Sequence, residues 1–206
     1  MRFTYAAFIA AAVGAALVLA GCGTDSSDPS SSGASATSHS LSTSAEAGSG
    51  AEAQFNDADV TFLRGMYPHH AQAVQMAEMV DGRTDNAELL ALAQRIEAAQ
   101  APEMDQITGL LAQAGDTAPT STGHEGMDHG SGDGMMSEDD MSTLMGMSGP
   151  EFDRMWLTMM IEHHEGAVEM AETELAEGEN PDAKQLATGI VNAQQREIAE
   201  MQAMLG

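Results

Sequence analysis

Inward-facing positions recur every three or four residues over residues 56 to 81, at Val60, Leu63, Met66, His70, Val74 and then Met76 or Ala77. That spacing predicts an amphipathic helix. Gly82 is its expected stop. A second helix is predicted from Asp85, where Asp85-x-x-Glu88 resembles a capping box, through Leu89, Leu92, Ile96, Met104, Ile107 and Leu110 or Leu111. Pro102 lies inside it and should bend or divide it, because proline removes a backbone donor. A third helix opens at Ser148-x-x-Glu151, with Pro150 in its first turn, and Gly178 ends it. Asn180-Pro181 opens a fourth. Four helices with short turns and almost no β-branched alternation predict an all-α protein, an antiparallel four-helix bundle.

The pattern also recurs within the chain. A forward shift of 94 residues lays Phe62 on Trp156, Met66 on Met160, His69-His70 on His163-His164, Met76 on Met170 and Glu78 on Glu172. The same shift, without a gap, pairs Asp59 with Asp153, Gln100 with Gln194 and Glu103 with Glu197. Two αα-hairpin repeats are implied, over residues 55–113 and 148–206. Their connection, 114–147, is too long for a turn and rich in Gly, Ser, Asp, His and Met. One short helix is expected in it around Ser137 to Leu144, where Ser137-x-x-Asp140 looks like a cap. About 120 ordered residues are enough for one core.

Ahead of this folded region the chain changes character. Residues 1–21 read as a lipoprotein signal peptide: Arg2, an Ala/Val/Leu run, and then Leu19-Ala20-Gly21-Cys22, which resembles a bacterial lipobox with Cys22 as the lipidated residue. The rival reading is an uncleaved anchor, for which an apolar run of about fifteen residues is short. Residues 22–54 are Ser, Gly, Ala and Thr with scattered acids, a disordered tether leading to the bundle domain at 55–206. The expected location is therefore the cell membrane, lipid-anchored on the extracytoplasmic face.

Charge and cysteine usage narrow the chemistry. With 7 Lys and Arg against 32 Asp and Glu, the net charge of −25 makes nucleic acid a poor partner. Such a surface favours solubility and draws cations towards it. Cys22 is the single cysteine, so neither an intrachain disulfide nor a cysteine-based zinc or iron–sulfur site can form. A metal ion would have to be held by His, Met or carboxylate.

The segments MYPHHAQAVQMAEM and MIEHHEGAVEMAET supply such donors. With Met66 at zero on a helical wheel, His69 falls at about −60°, His70 at about +40° and Met76 at about −80°, so imidazoles and thioethers share one face. Met160, His163, His164 and Met170 repeat the arrangement, and Met159 adds a thioether one turn before His163. Methionine at helical spacing is ordinarily core filling, and a single histidine on an apolar face is ordinarily a hydrogen-bonded core residue. Two adjacent pairs, each flanked by methionine, point instead to a metal or proton role. Imidazole with thioether suits copper, with thioether favouring Cu(I). Pro68 in one copy against Glu162 in the other, with Glu165 and Glu169 near the second pair, predicts two related sites of unequal strength; the alternative for these acids, favoured for Glu169 and Glu172, is a solvated helix face. His124, Met127, His129, Met135 and Met136 in the connection are weaker metal candidates, alternatively residues of a plain linker.

These residues resemble a known family. The run Phe62-Leu63-Arg64-Gly65-Met66-Tyr67-Pro68-His69-His70-Ala71-Gln72-Ala73-Val74-Gln75-Met76-Ala77, with a second copy from Phe152-Asp153-Arg154 through Met160, His163-His164 and Met170-Ala171, resembles the bacterial family called domain of unknown function 305. The resemblance implies a ferritin-like helical fold in an exported protein, and copper binding or resistance as in some members. Copper, with Cu(I) favoured, is thus the expected ligand, no organic cofactor is expected, and a copper-handling protein is a candidate partner. The expected role is binding, not catalysis. Two alternatives stand beside it: a structural or partner-binding bundle without metal, and a ferritin-like di-metal enzyme. The enzyme would need Glu-x-x-His motifs, which neither His-His helix has.

Overall fold

In the computed structural model, which describes residues 54–119 and 134–206, the described chain forms five α-helices: α1 (Asp57–Glu78), α2 (Ala87–Gln113), α3 (Glu138–Met145), α4 (Gly149–Glu177) and α5 (Pro181–Leu205). The expected signal and tether, with Cys22, and the candidates His124, Met127 and His129 lie outside the described residues.

The helix boundaries follow from local capping chemistry. Asn56 caps α1 in a reciprocal box with Asp59, and Ser137 caps α3 with Asp140 in the same way. α2 begins one residue later than Asp85 predicts, because Asn86 accepts from the backbone N–H groups of Glu88 and Leu89 at 3.1 and 3.3 Å. Ser148 stands at the N-cap of α4, yet its side chain makes no cap hydrogen bond. Gly149, at φ +67°, turns the chain there, and its N–H reaches the Arg83 carbonyl at 2.7 Å. α1 stops at Glu78, short of residue 81, and Gly82 takes the left-handed conformation (φ +72°) in the turn that follows.

Neither internal proline interrupts its helix. α2 runs unbroken through Pro102, where Pro102 and Ala98 are both exposed, so the carbonyl that loses its partner faces water. α1 likewise runs through Pro68.

α1 packs on α2, and α4 on α5, as two antiparallel hairpins; α1 and α4 then meet across the middle, and α3 lies on α4. The buried stripe of α1 is centred slightly differently from its apolar periodicity. Phe62, His69 and Ala73 are fully inside, whereas Val60 and Val74 are half-buried, as is Met104 on α2. The core divides into two apolar clusters. One holds Met76, Trp156, Met159 and Met160; the other holds Phe62, Met66, Ile107 and Ala167. In sequence the His-His pairs fall between them, after Met66 and before Ala73 on α1, and after Met160 and before Ala167 on α4.

Candidate metal centre

The four paired histidines are at most 1% exposed. His69 and His163 meet across the α1–α4 interface with ring centroids 3.7 Å apart and planes inclined at 43°. The two His-His pairs therefore lie in one polar layer, meeting through His69 and His163. Antiparallel packing of α1 against α4 brings the middle of each helix to the same level.

The other histidine of each pair faces its own hairpin partner. His70 Nε2 lies 2.7 Å from Glu103 Oε2 on α2, and His164 Nε2 lies 2.8 Å from Glu197 Oε2 on α5. Each contact spans 33 residues, and the two are 94 residues apart in the chain. A carboxylate accepts, so the network assigns the imidazole proton to Nε2 and leaves the Nδ1 lone pair available. Nδ1 of both His70 and His164 is buried without a hydrogen-bond partner. Such an outer carboxylate is the usual means of holding an imidazole in one tautomer and orientation for a metal ion.

His163 is the most deprived of the four. Neither of its ring nitrogens makes a hydrogen bond of normal geometry. Burial first, and then the neighbouring His69, His164 and His70, hold its pKa well below the usual imidazole value; a weak backbone approach from His69 opposes them. It is neutral at physiological pH and so free to act as a donor to a metal. Gln100 and Gln194 are buried as well, and neither amide has a partner for its nitrogen or its oxygen. An unmet buried polar group costs roughly 1–3 kcal/mol, so this concentration of them at mid-bundle is what a bound ion or ordered water would relieve.

Thioethers lie on both sides of the layer. Met76, Met159 and Met160 are buried in one apolar cluster; Met66 is buried in the other, with half-buried Met170 packed against it. Each side thus receives methionine from both α1 and α4. Met135 and Met136 are half-buried just before α3. Among the described residues no three His, Cys, Asp or Glu side chains converge closely enough to hold an ion by themselves. Thioether sulfur is an available complement to imidazole on both sides of the layer.

Glu162, Glu165, Glu169 and Glu172 are all exposed, a solvated face of α4, and the carboxylates that reach the histidines are Glu103 and Glu197. Nothing in the periodicity separates Glu103 and Glu197 from ordinary solvated acids. The signal lay in the 94-residue shift, which pairs them, and pairs Gln100 with Gln194, at the offset of the histidines.

Comparison with known proteins places this arrangement in context. Among curated proteins none matches the chain. A DUF305 fragment from Deinococcus radiodurans has a crystal structure 30% identical, with a TM-score of 0.67, covering 74% of this chain and 98% of that one. A secreted DUF305 protein from Streptomyces coelicolor is 33% identical, with a TM-score of 0.63 and coverage of 72% and 90%. CopM in its Cu(II)-bound form is 31% identical, with a TM-score of 0.60 and coverage of 71% and 95%, and CopM is also known in Cu(I)-bound and silver-bound forms. The family model described as domain of unknown function (DUF305) matches residues 59–205, and the chain belongs to that family.

Proposed function

We propose that this protein is a lipid-anchored extracytoplasmic copper-binding protein that buffers the ion, confers resistance to it or passes it on, with Cu(I) as the favoured state. The observation that carries the reading is the buried His69–His163 contact. Two imidazoles meet there at mid-bundle, His163 lacks normal hydrogen bonds, and thioethers are buried above and below. Neutral imidazole and thioether together prefer a soft ion. The copper-bound and silver-bound forms of CopM support the same choice. His69, His163, Met66, Met76, Met159, Met160 and Met170 are the candidate donors, and His70 and His164 can add Nδ1. The lipid anchor on Cys22 rests on the lipobox-like sequence, and a copper-handling protein remains the candidate recipient. The role is storage or transfer, without bond chemistry.

An anaerobic Cu(I) competition titration of the full chain against a chromogenic chelator tests the proposal. Tight binding is expected for the native chain, weakened roughly a hundredfold or more when His69 and His163 are both replaced by alanine. Equal affinity in the two proteins, with helical content preserved, would remove the basis of the reading.

A further inference from the structure

We propose that residues 134–136 are a strap across the outer side of the His69–His163 pair, and that Gln72 is the latch controlling how fast an ion gets in and out. The inference rests on the copper-binding reading and concerns the regulation of that same site.

The Gln72 side chain makes a reciprocal clamp on the backbone of Met136. Its Nε2 donates to the Met136 carbonyl at 2.9 Å, and its Oε1 accepts from the Met136 N–H at 2.7 Å. On the opposite helix, Gly134 lies flush against the backbone of α4. A Cβ added there would stand 2.5 Å from the Glu162 carbonyl oxygen, and 3.1 Å from both the His163 carbonyl oxygen and the Gly166 Cα. Its φ of +71° also favours glycine. The strap therefore touches both helices that carry the central histidines.

Its position on each helix is the same. Gln72 is three residues after His69 and Gly166 three after His163, which puts each about 60° round the helix from its histidine, on the side away from His70 and His164. His70 and His164 are turned towards the hairpin interiors, where Glu103 and Glu197 hold them. The side with the strap is the outer groove between α1 and α4. The two matching positions also divide the work: Gln72 reaches out to hold the strap, and Gly166, with no side chain, lets it lie close.

Beyond Met136 the chain enters α3, which is fastened by buried Met141 and Leu144 in the same apolar cluster as Met76 and Met160. Before Met136, among the described residues, the strap is held by the Gln72 clamp and the close approach of Gly134. Losing the clamp releases Met136 from α1 while α3 keeps its place. The side chain of Met136 packs on that thioether-rich cluster, so lifting the strap uncovers the methionines along with the imidazoles.

The test is the rate at which Cu(I) enters and leaves the full chain, measured by stopped-flow exchange with bathocuproine disulfonate. Hydrogen exchange at the Met136 amide is measured in parallel as a readout independent of metal. Gln72→Ala is expected to accelerate uptake and release together by roughly tenfold, leaving the equilibrium affinity within about twofold, and to deprotect the Met136 amide. Gly134→Ala, which displaces the strap from the α4 side, should do the same. Unchanged rates alongside a deprotected amide would overturn the inference, as would a loss of affinity with uptake unchanged, which would make Gln72 part of the binding site. A native chain that binds no Cu(I) while its Met136 amide is protected would instead overturn the copper reading, and the access role with it.

Discussion

Polar groups are buried in two regions of this bundle, and the fold treats them in opposite ways. At the end where α1 begins and α4 turns into α5, Asp59 is fully buried and fully served. It accepts from the backbone N–H groups of Asn56, Glu179 and Asn180 at 2.6, 3.1 and 2.9 Å. Beside it Glu174 is 1% exposed, and burial first, then the Asp59 carboxylate, raises its pKa to about 8, against a smaller opposing pull from Lys184. The raised value keeps Glu174 protonated beside the Asp59 carboxylate below about pH 8. Burial pushes the Asp59 pKa up, but the backbone donors and Glu174 outweigh it and leave the value lowered. The needs of Asp59 are met inside the chain, while Glu174, whose carboxyl oxygens make no hydrogen bond of normal geometry, is held neutral beside it. At mid-bundle the reverse holds: His163, Gln100 and Gln194 are as deeply buried, and their polar atoms are left unmet. A cluster of buried polar groups left open, as at mid-bundle, is where an ordered water or an ion has most to satisfy.

The contrast can be broken most forcefully at the end pair. Asp59→Ala strands the N–H groups of Glu179 and Asn180 and leaves Glu174 without its partner. A loss of about 3 kcal/mol is expected in urea unfolding, with Cu(I) affinity unchanged. Mid-bundle replacements should do the opposite. Gln100→Leu with Gln194→Leu exchanges two unmet amides for apolar groups of similar volume, and the metal-free protein should gain about 1 kcal/mol. A loss of that size would show the amides to be bonded after all. A third effect is in pH. Because Glu174 is protonated in the fold up to about 8 against an ordinary value of 4.5, its contribution is complete below 4.5 and is lost as pH rises towards 8. His163 acts in the other direction, costing stability as pH falls below 6.5, since its folded pKa is lowered. Glu174→Gln should therefore flatten the decline in melting temperature between pH 4.5 and 8 while leaving the acid side as it is.

Much of this was legible in the sequence. Helix existence, the Ser137 cap, the Gly178 stop and the paired histidines all follow from local spacing and capping chemistry, which depend on neighbours in the chain. The carboxylate partners were harder to see. Glu103 sits among exposed neighbours on α2, and only the packing of one helix on another shows that it reaches His70. Glu174 was hidden for the same reason: it stands in an acid-rich stretch from Glu169 to Glu177 that reads as a solvated face, yet Glu174 alone among those acids is buried. That the two pairs meet was not legible either, because an offset along the chain says which residues correspond and nothing about whether they touch.

Trp156 is fully buried in the cluster that holds Met76, Met159 and Met160, and its indole N–H donates to the Met76 carbonyl at 2.7 Å, occupying an acceptor that the end of α1 leaves spare. It is also the one tryptophan in the chain. Indole emission from this molecule therefore reports on a single place, one of the two thioether-bearing sides of the histidine layer, and the protein carries its own optical gauge of whatever settles there.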